Sequence, residues 1–234
     1  MAITLAELKK RVRERTDKLD SEFITEDELT YYINAALASL HDILVQSYGE
    51  DYYVKDVEWT ASNGVQRYNL SDIVTDNDFY KLRGLDAQLN GSEFFTLQQF
   101  NFNERNRFQN FGIWDYLGIT NVRFRLVGDE IFLTPPPDQN TLMRLWYIPK
   151  STTLTLDTDS INDINFYTDF VIVDAGIRVL DKEESDVSVL AAQRQILEQR
   201  ITEAAKNRNA SDPESVSDIY IQNDDYWYGR TRTF

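Results

Sequence analysis

Few residues in this 234-residue chain have the type and spacing that chemistry requires. The single histidine, His41, falls inside a helical pattern beside its apolar face. A general base needs an oriented partner and a cleft, so a lone helical histidine reads first as a packing residue. Asp76/Asp78 and Asp157/Asp159 have the spacing of carboxylate pairs that hold a divalent cation, but both pairs fall in turn-like stretches. Aspartate is favoured there for bonding its own backbone, and that reading takes precedence. Glu50 and Asp51 are adjacent carboxylates without an identifiable partner group, which makes a hydrolase the weakest hypothesis. Phosphate-loop and dinucleotide glycine motifs are absent, and the chain has no cysteine. The expectation is a protein with no catalytic residue, no cofactor and no metal.

Recognition chemistry is better represented. Glu104-Arg105-Asn106-Arg107 follows Phe100 and Phe102, and guanidinium groups grip carboxylates in a bidentate fashion. Arg105 and Arg107 are therefore candidate contacts to a neighbouring subunit, with intrachain ion pairs as the alternative. Arg123 and Arg125 alternate as one exposed strand face would. The C-terminal stretch after Asn209 has loop punctuation yet concentrates Tyr220, Ile221, Tyr226, Trp227, Tyr228 and Phe234. Disordered termini are poor in aromatic residues, and tyrosine and tryptophan are favoured interface anchors. These six residues form a candidate binding arm. Trp114, Tyr116 and Trp146 in the β-rich middle supply a second hypothesis, a carbohydrate-binding module with aromatic stacking platforms.

The elements that position these residues divide by periodicity. Ile24 to Gly49 is the best-specified: Thr25 and Glu28 have capping-box spacing, Ile24 and Leu29 form a hydrophobic staple, and Gly49 supplies the stop. Leu29, Ile33, Ala36, Leu37, Leu40 and Leu44 follow at steps of three and four. Tyr31, Tyr32, Ile43, Val45 and Tyr48 widen the apolar surface, so Tyr31, Tyr32 and Tyr48 are further candidate subunit contacts. Ile3-Thr4-Leu5-Ala6-Glu7-Leu8 repeats the same box and staple. Strand-like patterns follow, with hairpin signals at Ser62-Asn63-Gly64, Asn90-Gly91 and Gly128-Asp129. Thr96 and Gln99 suggest a short helix through Arg105. Pro135-Pro136-Pro137 should run extended on the surface before Leu142 to Ile148 returns as a strand. Helical periodicity resumes at Asn165 as N-cap, with Gly176 allowing a close helix approach. A final helix runs from Ser185 or Asp186 through Arg208, with Leu190, Leu197, Ile201 and Ala204 inward and Arg194, Glu198, Arg200 and Glu203 outward.

The predicted fold class is α+β. Residues 1–50 and 165–208 form a helical body, residues 51–164 an inserted β-rich module, and residues 209–234 an extended arm. The most apolar run, Phe166 to Leu180, is broken by Asp169, Asp174 and Arg178, so no membrane span is expected. Met1 to Lys10 offers no signal-peptide core, so the chain is expected to stay in the cytoplasm where it is made. The net charge of -15 disfavours binding along a phosphate backbone.

Leu40-His41-Asp42-Ile43-Leu44-Val45-Gln46-Ser47-Tyr48-Gly49-Glu50-Asp51-Tyr52-Tyr53 is followed by Asp78-Phe79-Tyr80-Lys81-Leu82-Arg83-Gly84-Leu85-Asp86. Phe102 to Phe108, Leu145-Trp146-Tyr147-Ile148-Pro149 and Lys182-Glu183-Glu184-Ser185-Asp186-Val187 come after in the same order. This series, over about residues 5–215, resembles the head-to-tail adaptor (connector) proteins of short-tailed and related tailed bacteriophages. The resemblance implies a structural protein of the virion neck: a ring, usually of twelve copies, docked on the portal protein and extending the DNA channel. It also implies a tail nozzle or tail-tube protein as the next partner and passage of DNA without specific binding. A C-terminal segment along the portal is implied as well, although residues 210–234 match least.

Overall fold

A computed structural model of the protein describes residues 2–18, 23–48, 53–89, 93–106, 122–162 and 167–206. The fold is α+β, with helices at both ends of the described chain.

Both N-terminal helices begin where side chains can satisfy the free backbone amides. Helix α1 (Leu5–Thr16) is capped by Thr4, whose hydroxyl accepts the Glu7 N–H at 3.3 Å, while the Glu7 carboxylate turns to Arg11. Helix α2 (Glu26–Tyr48) has the full reciprocal box: the Glu28 N–H donates to Thr25 Oγ1 at 3.2 Å and the Thr25 N–H donates to the Glu28 carboxylate at 3.1 Å. Ile24 and Leu29 are both buried beside it, as a staple requires. The α2 stripe from Leu29 to Leu44 is buried throughout, and Val45 and His41 join it. Helix α4 (Thr168–Lys182) contacts α1, α2 and helix α5 (Ser188–Lys206), and its burial on nearly every side matches that central place. At Gly176 the Leu190 and Thr16 side chains come within 3.4 Å of where a Cβ would stand, the close approach its missing side chain permits.

Three helix details differ from expectation. The N-cap of α4 is Tyr167, and Asn165 lies outside the described residues, as does the end of the predicted last helix beyond Lys206. Along α5 the inward series ends on Ala205 rather than Ala204, because the buried positions Leu190, Ile201 and Ala205 follow a stripe that drifts by one residue over four turns. Arg194, expected outward, turns in to meet a buried carboxylate described below.

Strand β1 (Ala2–Thr4) pairs antiparallel with the late strand β10 (Ser160–Asn162), tying the start of the chain to the approach to α4. Between them lie two four-stranded sheets. The first orders β2 (Lys55–Ala61), β9 (Thr141–Pro149), β4 (Phe79–Leu89) and β5 (Glu93–Thr96), all antiparallel. The second orders β3 (Arg67–Asn69), β8 (Glu130–Thr134), β7 (Arg123–Val127) and β6 (Gln98–Gln99), with β6 parallel to β7. A short helix α3 (Leu70–Ile73) follows β3. Alternation points Leu85, Ala87, Met143 and Leu145 of one sheet and Phe124, Ile131 and Leu133 of the other into a shared core. A separate buried cluster fills the four helices.

The hairpin signals succeed for β4–β5 and β7–β8. At Ser62-Asn63-Gly64 the chain does turn, with Gly64 at φ +74°, but β2 and β3 are not paired. The Gly64 N–H instead donates to the Pro137 carbonyl at 2.6 Å and the Asn63 N–H to the Asn140 side chain at 3.0 Å. A turn motif fixes chain reversal; longer pairing with β9 and β8 decides where each arm goes. Pro135 and Pro137, which were expected on the surface, are buried. The helix anticipated from Thr96 to Arg105 is replaced by β6 and one 3-10 turn at Phe102–Glu104.

Candidate functional site

Where catalysis would need free polar groups, the structure shows engaged ones. Asp159 accepts the N–H groups of Thr155 and Leu156, each at 2.8 Å, and its carboxyl titrates below the usual range because of them. Asp157 takes Lys9 at 2.8 Å. Asp78 accepts the Tyr147 hydroxyl at 2.9 Å and Lys55 at 3.0 Å. No cluster of three metal-ligating side chains occurs among the described residues.

His41 belongs to the joint between helices and sheets. Its ring stacks on Tyr53 at 4.9 Å and meets the edge of Tyr80 at 5.3 Å, while Tyr80 donates to Asp42 at 2.9 Å. Burial lowers its pKa, which keeps the ring neutral near pH 7. Asn34 holds the chain before β10 onto α2 through two 2.9 Å bonds with the Leu154 backbone. Between these anchors lies a cleft of about 630 Å³ lined by His41, Lys55, Asp78, Lys150 and Thr152. Burial is the first cause and Asp78 the second that push Tyr147 up to about 12. A pKa above the unfolded value of 10 stabilises the fold fully below pH 10, and that contribution is lost as pH rises through 12. Tyr147→Phe should cost about 1.5–3 kcal/mol at pH 8 and progressively less between pH 10 and 12, measured by urea denaturation at each pH.

The candidate contact residues lie in different settings. Tyr31 is 69% exposed, and Tyr32 beside it is half-buried against the helical core. Tyr48 is half-buried with its hydroxyl on that of Tyr167. Arg105 is exposed and lies over the Phe102 ring at 4.8 Å, and Arg125 donates to the Phe100 carbonyl at 2.9 Å. Trp146 is half-buried within its sheet, its N–H donating to Asp86 at 2.6 Å and one side met by Arg144. Arg107, Glu50, Asp51, Trp114, Tyr116, Tyr220, Ile221, Tyr226, Trp227, Tyr228 and Phe234 lie outside the described residues.

Two features of the helical body escaped the sequence reading. Asp174, 5% exposed on α4, meets Arg178 at 3.1 Å and Arg194 at 2.6 Å, with the Arg194 guanidinium also over the Phe170 ring. The four-residue step from Asp174 to Arg178 was a visible signal for half of it. The second is the outer face of α5, where Val189 and Ile196 are 66% and 64% exposed. Their seven-residue step, two helical turns, was the available sign. Ile196 borders a groove of about 320 Å³ between α1, α4 and α5, floored by Ile172, Val173 and Leu197 and edged by Arg15, Asp169 and Gln193.

Among the described residues the arrangement offers exposed surfaces and a fixed joint between helices and sheets. The family described as SU10 adaptor protein matches residues 3–217. The chain belongs to the SU10 adaptor protein family, the phage head-tail adaptors, and is a structural component of the virion. No curated protein matches it. No helix among the described residues is long and apolar enough to cross a membrane.

Proposed function

We propose that the protein forms the adaptor ring that joins portal to tail and extends the DNA channel, with twelve copies on the portal protein. The family match over residues 3–217 is the observation that carries this reading. Residues 1–50 and 165–208 serve as the ring-forming helical body, residues 51–164 as a β module that faces a tail nozzle or tail-tube protein, and residues 209–234 as an arm. Two separate buried clusters, one helical and one between the sheets, support that division. Tyr31 and Arg105 supply exposed subunit contacts, backed by Tyr32, Tyr48 and Arg107. The net charge of -15 repels passing DNA, which travels without specific binding. The role needs no catalysis and no cofactor.

In this reading Tyr220, Ile221, Tyr226, Trp227, Tyr228 and Phe234 anchor the arm to the portal. Deleting residues 220–234 should weaken portal binding at least about tenfold, since aromatic anchors carry most of an interface's energy. Unchanged affinity in a pull-down or biosensor titration overturns the arm assignment.

A further inference from the structure

The groove between α1, α4 and α5 is an apolar surface with a charged rim, and the chain itself contains a segment that complements it. Its floor is Ile172, Val173 and Leu197, and Ile196 stands at its edge with almost two-thirds of its surface in solvent. An apolar floor with an exposed apolar residue at its edge gives an extended segment a place to dock. Of the three flanking helices two are basic within an acidic protein, α1 with five basic and two acidic residues and α5 with three basic and two acidic, while α4 sets Asp169 on the rim. Arg15 reaches across from α1 to the Gln193 side chain and so stands on the rim itself.

Residues 209–228 have the opposite character, with five acidic residues (Asp212, Glu214, Asp218, Asp224 and Asp225) and no basic one. They also hold Ile219, Tyr220, Ile221, Tyr226, Trp227 and Tyr228. The tether is long enough. From Lys206 to Asp218 an extended chain spans up to about 40 Å. Ile196 lies only about 15 Å back along α5. A tether of this length gives the segment a local concentration in the millimolar range, which favours the chain's own groove over a second copy's.

We propose that, before assembly, this groove holds residues 218–228 of the same chain, with the aromatic side chains on the Ile172, Val173 and Leu197 floor and the carboxylates toward Arg15 and α1. The arm is then kept from non-productive contacts until a partner takes it. That the partner is the portal rests on the reading above; occupation of the groove does not.

The absence of cysteine makes the test clean. In the dilute full-length protein, Ile196→Cys combined with Trp227→Cys should form an intrachain disulfide on mild oxidation, at least about tenfold faster than the control pair Asp56→Cys with Trp227→Cys. Rates equal to the control overturn the proposal. A disulfide that forms only between molecules also overturns it and makes a second copy the occupant. Independently, Ile196→Glu should leave the melting temperature unchanged and raise amide exchange in residues 218–228 at least about tenfold. Unchanged exchange overturns the proposal. The portal reading fails separately, if deletion of residues 220–234 leaves portal affinity intact whatever the disulfide shows.

Discussion

Ile33→Ala should lower the unfolding free energy by about 3–4 kcal/mol, while Tyr31→Ala two positions earlier should change it by less than about 0.5 kcal/mol. Ile33 is fully buried in the helical core, and truncation removes three carbons from a cluster that α2 shares with α1 and α4. Such a cavity collapses only in part. Tyr31 points to solvent, so its loss removes no core contact and should act on assembly instead, as reduced adaptor occupancy on the portal. Urea denaturation of the two variants separates the effects. Equal shifts in midpoint would mean that α2 does not divide into a core face and an outer face.

The second large effect belongs to Asp174→Asn, which should cost about 2–3 kcal/mol. The substitution keeps the volume but leaves Arg178 and Arg194 without their shared anion, with Arg194 still wedged against Phe170. A fully buried pair would cost more; both arginines are about a third exposed, so water recovers part of the loss. Arg178→Met should cost less, because it leaves the carboxylate one partner and adds apolar surface. Chemical denaturation of both variants provides the ranking. The reverse order would show that Arg178, through its reach to Ser39 on α2, matters more to the fold than the bond from α4 to α5.

Local signals proved legible because they are satisfied within a few residues. Thr25 and Glu28 close their box inside one turn, and Gly128-Asp129 reverses the chain between two strands that pair directly with each other. What the sequence concealed depends on distant partners. The strands flanking Gly64 separate because β9 offers β2 a seven-residue register and β8 takes β3. Strand β6 is two residues long and parallel to β7, too short to leave a pattern. Pro135 and Pro137 look like surface residues, and the bond from the distant Gly64 to the Pro137 carbonyl is among the contacts that no local pattern announces. Arg194 has the spacing of an outward residue, and only the position of Asp174 on the next helix draws it inward. Of the candidate contact residues named from the sequence, Tyr31 and Arg105 are exposed, as a subunit contact requires. The α5 groove could not be read from the sequence, since three helices are needed to make it.

Electron microscopy of the protein bound to its portal should show a closed ring of twelve copies beneath the portal, with the four-helix body against it, the two sheets toward the tail, and residues 220–234 lying along the portal surface. Isolated copies without a ring, or the sheets seated on the portal, would contradict the proposed adaptor ring.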